Sequence, residues 1–316
     1  MKRVVIISVA LLIPVNVQAG RFHDCFKSES AAKIISACDY YLKHAQRLST
    51  DNRVIAYNRR AWANLRLGRY DAAIADYDRL TTSRRHRVSA ETNRAHAQLR
   101  KGDYTAAIAD FDAVLKNRPK DVVARSSRAF ALLKTGQLER AVDDYTAVLR
   151  SSAKDQAARL NRAHAYLQLQ RWNEAVADYT IAINAGRKDS IDVYMSRAFA
   201  LMNIGEWNRA IDDYNRVIDL DPRNQSAHYN RAITALRAQD FARAVPYFTA
   251  LLELDQKSLA AYTGRGFALL ALRNYDQAIA DYAIALKLDP ANEDAMANWK
   301  IALKGKGTID HAKQNP

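Results

Sequence analysis

The sequence repeats itself every 34 residues. Tyr70-Asp71-Ala72-Ala73-Ile74-Ala75-Asp76-Tyr77 returns as Tyr104-Thr105-Ala106-Ala107-Ile108-Ala109-Asp110-Phe111, and the block recurs from Leu138, Trp172, Trp207, Phe241 and Tyr275, with one residue inserted before Trp207. A fixed period of this length restricts the chain to an array whose repeats bury apolar surface only against their neighbours. Seven complete repeats follow: 54–87, 88–121, 122–155, 156–190, 191–224, 225–258 and 259–292. Each holds two helical stretches. Tyr104, Ala107, Ile108, Phe111, Val114 and Leu115, for example, fall on one face of a 3.6-residue helix. A small residue stands eighth in each repeat (Ala61, Ala95, Ala129, Ala163, Ala198, Ala232, Gly266) and another opens each second half (Ala73, Ala107, Ala141, Ala175, Ala210, Ala244, Ala278). Small side chains at these two places let a pair of helices approach closely as an antiparallel hairpin. Gly68, Gly102, Gly136 and Gly205 mark turns within hairpins, and Arg118-Pro119, Asp221-Pro222 and Asp289-Pro290 stop helices between repeats. With only 10 Gly and 6 Pro in 316 residues, the composition suits continuous helix and disfavours a loop-rich β protein.

Ala163, Trp172, Ala175, Tyr179 and Ala182 of one repeat follow a small-aromatic-small-aromatic-small scheme, and the chain holds seven in-phase copies of the repeat. On these residues the chain resembles the tetratricopeptide repeat (TPR) family over residues 54–292. The resemblance implies an all-α fold, a right-handed superhelical solenoid of antiparallel helix hairpins. First helices would line a concave groove and second helices the convex side. It also implies covers at both ends. Residues 293–304, with Trp299 and Ile301 on one side and Lys300 and Lys304 on the other, look like a C-terminal capping helix, with 305–316 as a flexible tail. Ala37-Cys38-Asp39-Tyr40-Tyr41 mimics Ala73 to Tyr77, so 31–46 reads as the second helix of a degraded half-repeat within an N-terminal cap, 20–53.

Lys2 and Arg3 precede apolar stretches from Val4 to Ile7 and Val9 to Val15, and Val17-Gln18-Ala19 supplies small residues at a cleavage site. Residues 1–19 read as a secretory signal peptide cut after Ala19, which makes the protein exported, periplasmic or secreted. The apolar stretch is too short to cross a bilayer and no later one reaches 18 residues, so the chain is not expected to be transmembrane. Cys25 and Cys38 are the only two cysteines. In an exported chain they read as a disulfide, and closing a loop of about 14 residues contributes roughly 3 kcal/mol in the chain-entropy picture. No His stands at a spacing that would make the pair a zinc site.

One position departs from the usual family composition in every repeat. Its seventh residue is Arg60, Arg94, Arg128, Arg162, Arg197, Arg231 and Arg265. The second helices offer Asp76, Asp110, Asp144, Asp178, Asp213 and Asp281 at one fixed place, with Tyr247 alone breaking the series. The expectation is an internal ladder of Arg–Asp pairs, since the guanidinium presents a planar fork to a carboxylate. Selectivity in the family comes from first-helix residues facing the groove. Here these are Trp62, His96, Phe130, His164, Phe199 and Phe267, with Arg66, Arg100, Lys134 and Arg237 four residues beyond the aromatic place. Such a groove, aromatic with a basic edge, suits an extended peptide or helix carrying apolar anchors and acidic side chains. Members of the family that clamp a C-terminal carboxylate use a Lys, Asn, Asn, Lys, Arg set; Asn93, Asn161 and Asn230 echo one element, but the lysines are absent.

No catalytic, metal or cofactor motif is present; Gly305-Lys306-Gly307-Thr308 lacks the strand that a phosphate-binding loop requires. The formal charge is +14, or +12 once Lys2 and Arg3 leave with the signal. The function expected is a non-catalytic scaffold for a protein or peptide. The alternative is binding of a polyanion such as anionic lipid, cell-wall polymer or nucleic acid through the basic surface, with export arguing against nucleic acid.

Overall fold

The computed structural model describes residues 23–44, 49–186 and 189–314, and side chains as far as Gly307. The expected signal peptide and its cleavage site lie outside the described residues. Among those residues all regular structure is helical, and the chain divides into two compact units, Met1–Lys154 and Asp155–Pro316.

The N-terminal unit contains α1 (residues 23–27), α2 (Ala31–Lys43), α3 (Thr50–Arg66), α4 (Tyr70–Thr81), α5 (Arg87–Lys101), α6 (Tyr104–Asn117), α7 (Val122–Lys134) and α8 (Leu138–Ser151). The C-terminal unit contains α9 (Gln156–Gln168), α10 (Trp172–Asn184), α11 (Ile191–Asn203), α12 (Trp207–Leu220), α13 (Gln225–Arg237), α14 (Phe241–Leu254), α15 (Leu259–Ala271), α16 (Tyr275–Leu288) and α17 (Glu293–Gln314). From α2 onward, each helix within a unit packs on the next, as in a helical solenoid. The eighth-place and second-half alanines are fully buried from Ala61 to Ala278, and beside them lie the buried rings of Tyr77, Phe111, Tyr145, Tyr179, Tyr214, Phe248 and Tyr282. Gly266 takes the place of the eighth-position alanine, where a Cβ would come within 3.1 Å of the Tyr282 ring.

Five first helices, α3, α7, α9, α13 and α15, start on side-chain caps. Asp121 accepts from the Ala124 amide at 3.0 Å, Asp155 from Ala158 at 2.9 Å and Asn224 from Ala227 at 3.0 Å, satisfying amides that a helix start leaves open. The hairpin turns reverse through one left-handed residue. Gly68, Gly102, Gly136 and Gly205 have φ between 71° and 89°, but Gln170, Gln239 and Arg273 adopt φ of 57°, 56° and 62° at the same place in their repeats. Their hydrogen bonds match those at glycine: Gly102 N–H donates to Leu99 and Asp103 N–H to Gln98, as Arg273 does to Leu270 and Asn274 to Leu269. The turn is thus dictated by the hairpin, and non-glycine residues are held in a conformation that costs them about 1 kcal/mol.

Three boundaries differ from the sequence reading. The cap helix α2 ends at Lys43, where His44 N–H bonds the Tyr40 carbonyl. Helix α3 begins at Thr50, four residues before Val54, because Ser49 caps it by accepting from Asn52 N–H at 3.2 Å. The terminal helix does not give way to a flexible tail at residue 305 but continues to Gln314. Gly305 lies so close on Tyr275 that a Cβ would fall 2.5 Å from its ring, and Lys306 Nζ meets Asp276 Oδ1 at 2.5 Å, so the helix at 305–306 rests on α16. Pro246 lies within α14, which remains one helix from Phe241 to Leu254.

Candidate functional site

The periodic arginines set the frame on which any binding face is held. In six repeats the Arg of the first helix grips the Asp of the second with both arms: Nε donates to Oδ2 at 2.7–2.9 Å and Nη2 to Oδ1 at 2.5–2.8 Å. The six aspartates are all buried. Hydrogen bonding to the carboxylate outweighs burial and pushes the six guanidinium groups above their ordinary value. At Asp213 burial raises the carboxyl as well, against the pull of Arg197. The two directions disagree for this pair; its fork geometry, the same as in the other five, marks it as an ion pair.

A further contact could not be read from the Arg and Asp phases alone. The remaining arm, Nη1, reaches back to the preceding helix pair: Arg94 to Asp78 at 2.5 Å, Arg128 to Asp112 at 2.6 Å, Arg197 to Thr180 at 3.1 Å, Arg231 to Asn215 at 2.9 Å and Arg265 to Thr249 at 3.0 Å. Arg60 uses Asp39 of α2 in the same way at 2.6 Å. Each of these arginines therefore ties its first helix to the second helix before it, and all except Arg231 also to the one after it. Except at Asp39, the signal was present as polar residues two places beyond the ladder position: Asp78, Asp112, Thr180, Asn215 and Thr249. Arg231, facing Tyr247 instead of Asp, lies 4.2 Å from that ring's centroid; burial lowers its pKa, and its Nε is buried without a hydrogen-bond partner.

The first-helix positions separate into distinct environments. Trp62, Phe199 and Phe267 are 44–45% exposed, far more than core rings. Phe130, Phe199 and Phe267 stand edge-on against Tyr104, Trp172 and Phe241, the residues that open the preceding second helices, at 5.7–6.2 Å between centroids. Cations cover two of the rings: Arg66 lies 4.9 Å from the Trp62 centroid and Lys134 5.4 Å from that of Phe130. His164 is exposed, its Nε2 2.8 Å from Gln168 Nε2, and Arg100 and Arg237 are exposed. His96 departs from its expected place on the open face. It is half-buried, edge-on to Phe111 at 5.2 Å, with Nε2 3.2 Å from Ser127 Oγ, and burial lowers its pKa.

The N-terminal segment lies against the start of this face. Cys25 and Cys38 form a disulfide within a small core that includes Ile34, Ala56 and Ala63. From there residues 28–30 pass over α3, where Arg59 Nη2 donates to the Ser28 carbonyl at 2.5 Å and Arg66 Nη1 to the Glu29 carbonyl at 3.3 Å. A cavity of about 460 Å³ remains between Lys27, Glu29, Asn58 and Trp62. Arg59 belongs to no repeated feature, and sequence reasoning passed over it. In the C-terminal unit, Tyr229, Ile233, Thr263, Gly264 and Asn298 line a second hollow of about 260 Å³. Gly264 is required there because a Cβ would lie 2.3 Å from the Phe248 ring. Among the described residues no group of His, Cys, Asp and Glu could hold a metal ion, and no helix is long and apolar enough to cross a membrane.

A family model described as tetratricopeptide repeat matches residues 42–90, 58–122, 92–155, 127–190, 196–258 and 229–293. No curated protein sequence matches significantly. Among solved structures, the C-terminal part of a TPR repeat-containing protein from Cytophaga hutchinsonii aligns with TM-score 0.62 at 19% identity, covering 76% of this chain and 98% of that one. A tetratricopeptide repeat protein from Parabacteroides merdae aligns with TM-score 0.52 at 20% identity, covering 80% and 99%. YrrB, described as a TPR protein with an unusual peptide-binding site, aligns with TM-score 0.52 at 19% identity, covering 60% and 97%.

Proposed function

Because the chain belongs to the tetratricopeptide repeat family, we propose that it is a non-catalytic scaffold that binds a protein or peptide on the face formed by its first helices. The observation that carries the reading is the pairing of first-helix rings with cations in the N-terminal unit, the exposed Trp62 under Arg66 and the partly buried Phe130 under Lys134. A ring that is open to solvent offers an apolar side chain a contact, and the guanidinium or ammonium beside it meets an acid one or two residues along the same ligand. The ligand is accordingly an extended or helical segment that combines aromatic or aliphatic anchors with Asp or Glu. That YrrB is described as having a peptide-binding site agrees with this reading.

Export belongs to the same proposal. The basic start, the apolar stretch and Val17-Gln18-Ala19 support a signal peptide, and the Cys25–Cys38 bond agrees with an oxidising compartment. N-terminal sequencing of the protein recovered from its cells tests this; a mature chain beginning at Gly20 is expected, and one retaining Met1 overturns it.

The binding reading is tested by selecting displayed random peptides on the full chain and measuring the winners against a Trp62→Ala, Phe130→Ala double variant. Enriched peptides should pair an apolar anchor with acids and lose at least about tenfold in affinity on the variant, in line with buried aromatic contacts worth 1–2 kcal/mol or more. Peptides that bind the variant as tightly, or no enrichment at all, would refute it.

A further inference from the structure

Charge is divided unevenly between the two units. Residues 20–154 hold 26 Lys and Arg against 15 Asp and Glu, an excess of 11, whereas residues 155–316 hold 20 against 19. The ladder sharpens the difference. In the N-terminal unit three arginines, Arg60, Arg94 and Arg128, engage six carboxylates, because each grips one buried Asp and also reaches one on the preceding helix. Outside those contacts 23 cations face 9 acids.

Many of the remaining cations collect at one edge. In a stack of antiparallel hairpins, the C-terminal ends of the second helices and the loops that follow them all lie at the same end. There Arg84 and Arg85 follow α4, Lys116, Arg118 and Lys120 end α6, and Arg150 and Lys154 end α8. All are exposed, and none has a carboxylate in ion-pair range among the described residues. Helix dipoles favour cations at such ends, but that does not account for the pattern. The corresponding ends in the C-terminal unit carry acids as well: Arg187 and Lys188 with Asp189, Asp219 and Asp221 with Arg223, Glu253 and Asp255 with Lys257, and Lys287 with Asp289.

We propose that this edge of the N-terminal unit docks on an anionic lipid bilayer, its arginines and lysines meeting headgroup phosphates. The loops carry no Phe, Tyr or Trp on which unstacked bases could lie, as a single-strand platform requires. Val123, 66% exposed beside the second loop, offers a side chain that lipid tolerates. Docking at the loop edge leaves the face with Trp62 and Phe130 open, so a membrane-held scaffold keeps its peptide site.

The experiment is co-sedimentation of the full chain with vesicles of phosphatidylcholine alone and of phosphatidylcholine mixed with phosphatidylglycerol. The excess binding to the mixture is the readout, which cancels any affinity of the N-terminal apolar stretch. The mixture should bind at least about tenfold more tightly, and added salt should erase the difference. A variant with Arg84→Glu, Arg85→Glu, Arg118→Glu and Lys120→Glu should lose the excess while keeping its helical circular dichroism; these exposed loop residues support no core. The Trp62→Ala, Phe130→Ala variant should keep it, so this proposal and the peptide-binding reading fail separately. No excess for the wild-type chain, an excess retained by the charge-reversed variant, or displacement by inorganic phosphate well beyond that caused by sodium chloride of equal ionic strength would each overturn the assignment.

Discussion

Cutting one rung of the ladder measures what holds the hairpins in register. Asp144 and Arg128 have side chains only 6% and 18% exposed, and Arg128 donates to both Asp144 oxygens at 2.7 Å. Asp144→Ala strands a half-desolvated guanidinium. Removing one partner of a fully buried pair costs about 3–5 kcal/mol, but Arg128 keeps Asp112, at 2.6 Å and itself 44% exposed, so the lower end, about 3 kcal/mol, applies. Arg128→Met preserves the apolar stem and costs about 2–3 kcal/mol, mainly by leaving Asp144 with the longer 3.3 Å contact to Arg125. The double variant should be less damaging than the sum by about 2 kcal/mol, the scale of charge-assisted hydrogen bonds. Stacked repeats need not unfold together, so urea unfolding is best paired with native-state hydrogen exchange of α7 and α8. A coupling under about 0.5 kcal/mol, the level at which unrelated sites add, refutes the ladder as a stabilising device. Arg231→Met is the internal control. With Tyr247 in place of the carboxylate, it should cost about 1 kcal/mol.

Three more expectations follow from the geometry. Gln170→Gly and Arg273→Gly should each raise stability by about 1 kcal/mol, because the residues already hold left-handed φ of 57° and 62°; thermal melts that fail to rise count against a strained turn. Burial lowers the pKa of His96, so the folded chain binds that proton less readily than the unfolded one. The stability it supports is full above the ordinary imidazole value of about 6.5 and drains away as pH falls through the folded value; His96→Phe should flatten that loss in urea midpoints, and an unchanged pH slope would contradict it. Reducing Cys25–Cys38 should lower hydrogen-exchange protection of α2 by up to about 3 kcal/mol and leave α16 untouched, whereas equal loss at both would mean that the bond acts on more than the cap.

Much of the fold is legible in the sequence because repeats make contacts local and recurrent. The alanines of the eighth place, the buried rings from Tyr77 to Tyr282 and the phase shared by Arg94 and Asp110 follow from a period of 34 laid over a period of 3.6. The site was less legible. Trp62 and His96 share a phase, yet one is half open under Arg66 and the other is turned onto Phe111 and Ser127. Phase assigns a residue to a helix face; the size and polarity of the neighbours decide how far it is covered.

What the amino-acid order by itself determined is the hairpin, its repeat and the partner that each ladder arginine grips, since these depend on spacing within one repeat. Only the tertiary structure decided the placement of His96 on Phe111 and Ser127, the long terminal helix on Tyr275 and the carbonyls of Ser28 and Glu29 on Arg59 and Arg66. Those contacts arise where one repeat meets another or where the array ends. There a side chain answers to surfaces set by distant residues, and periodicity carries no information about a contact that occurs once.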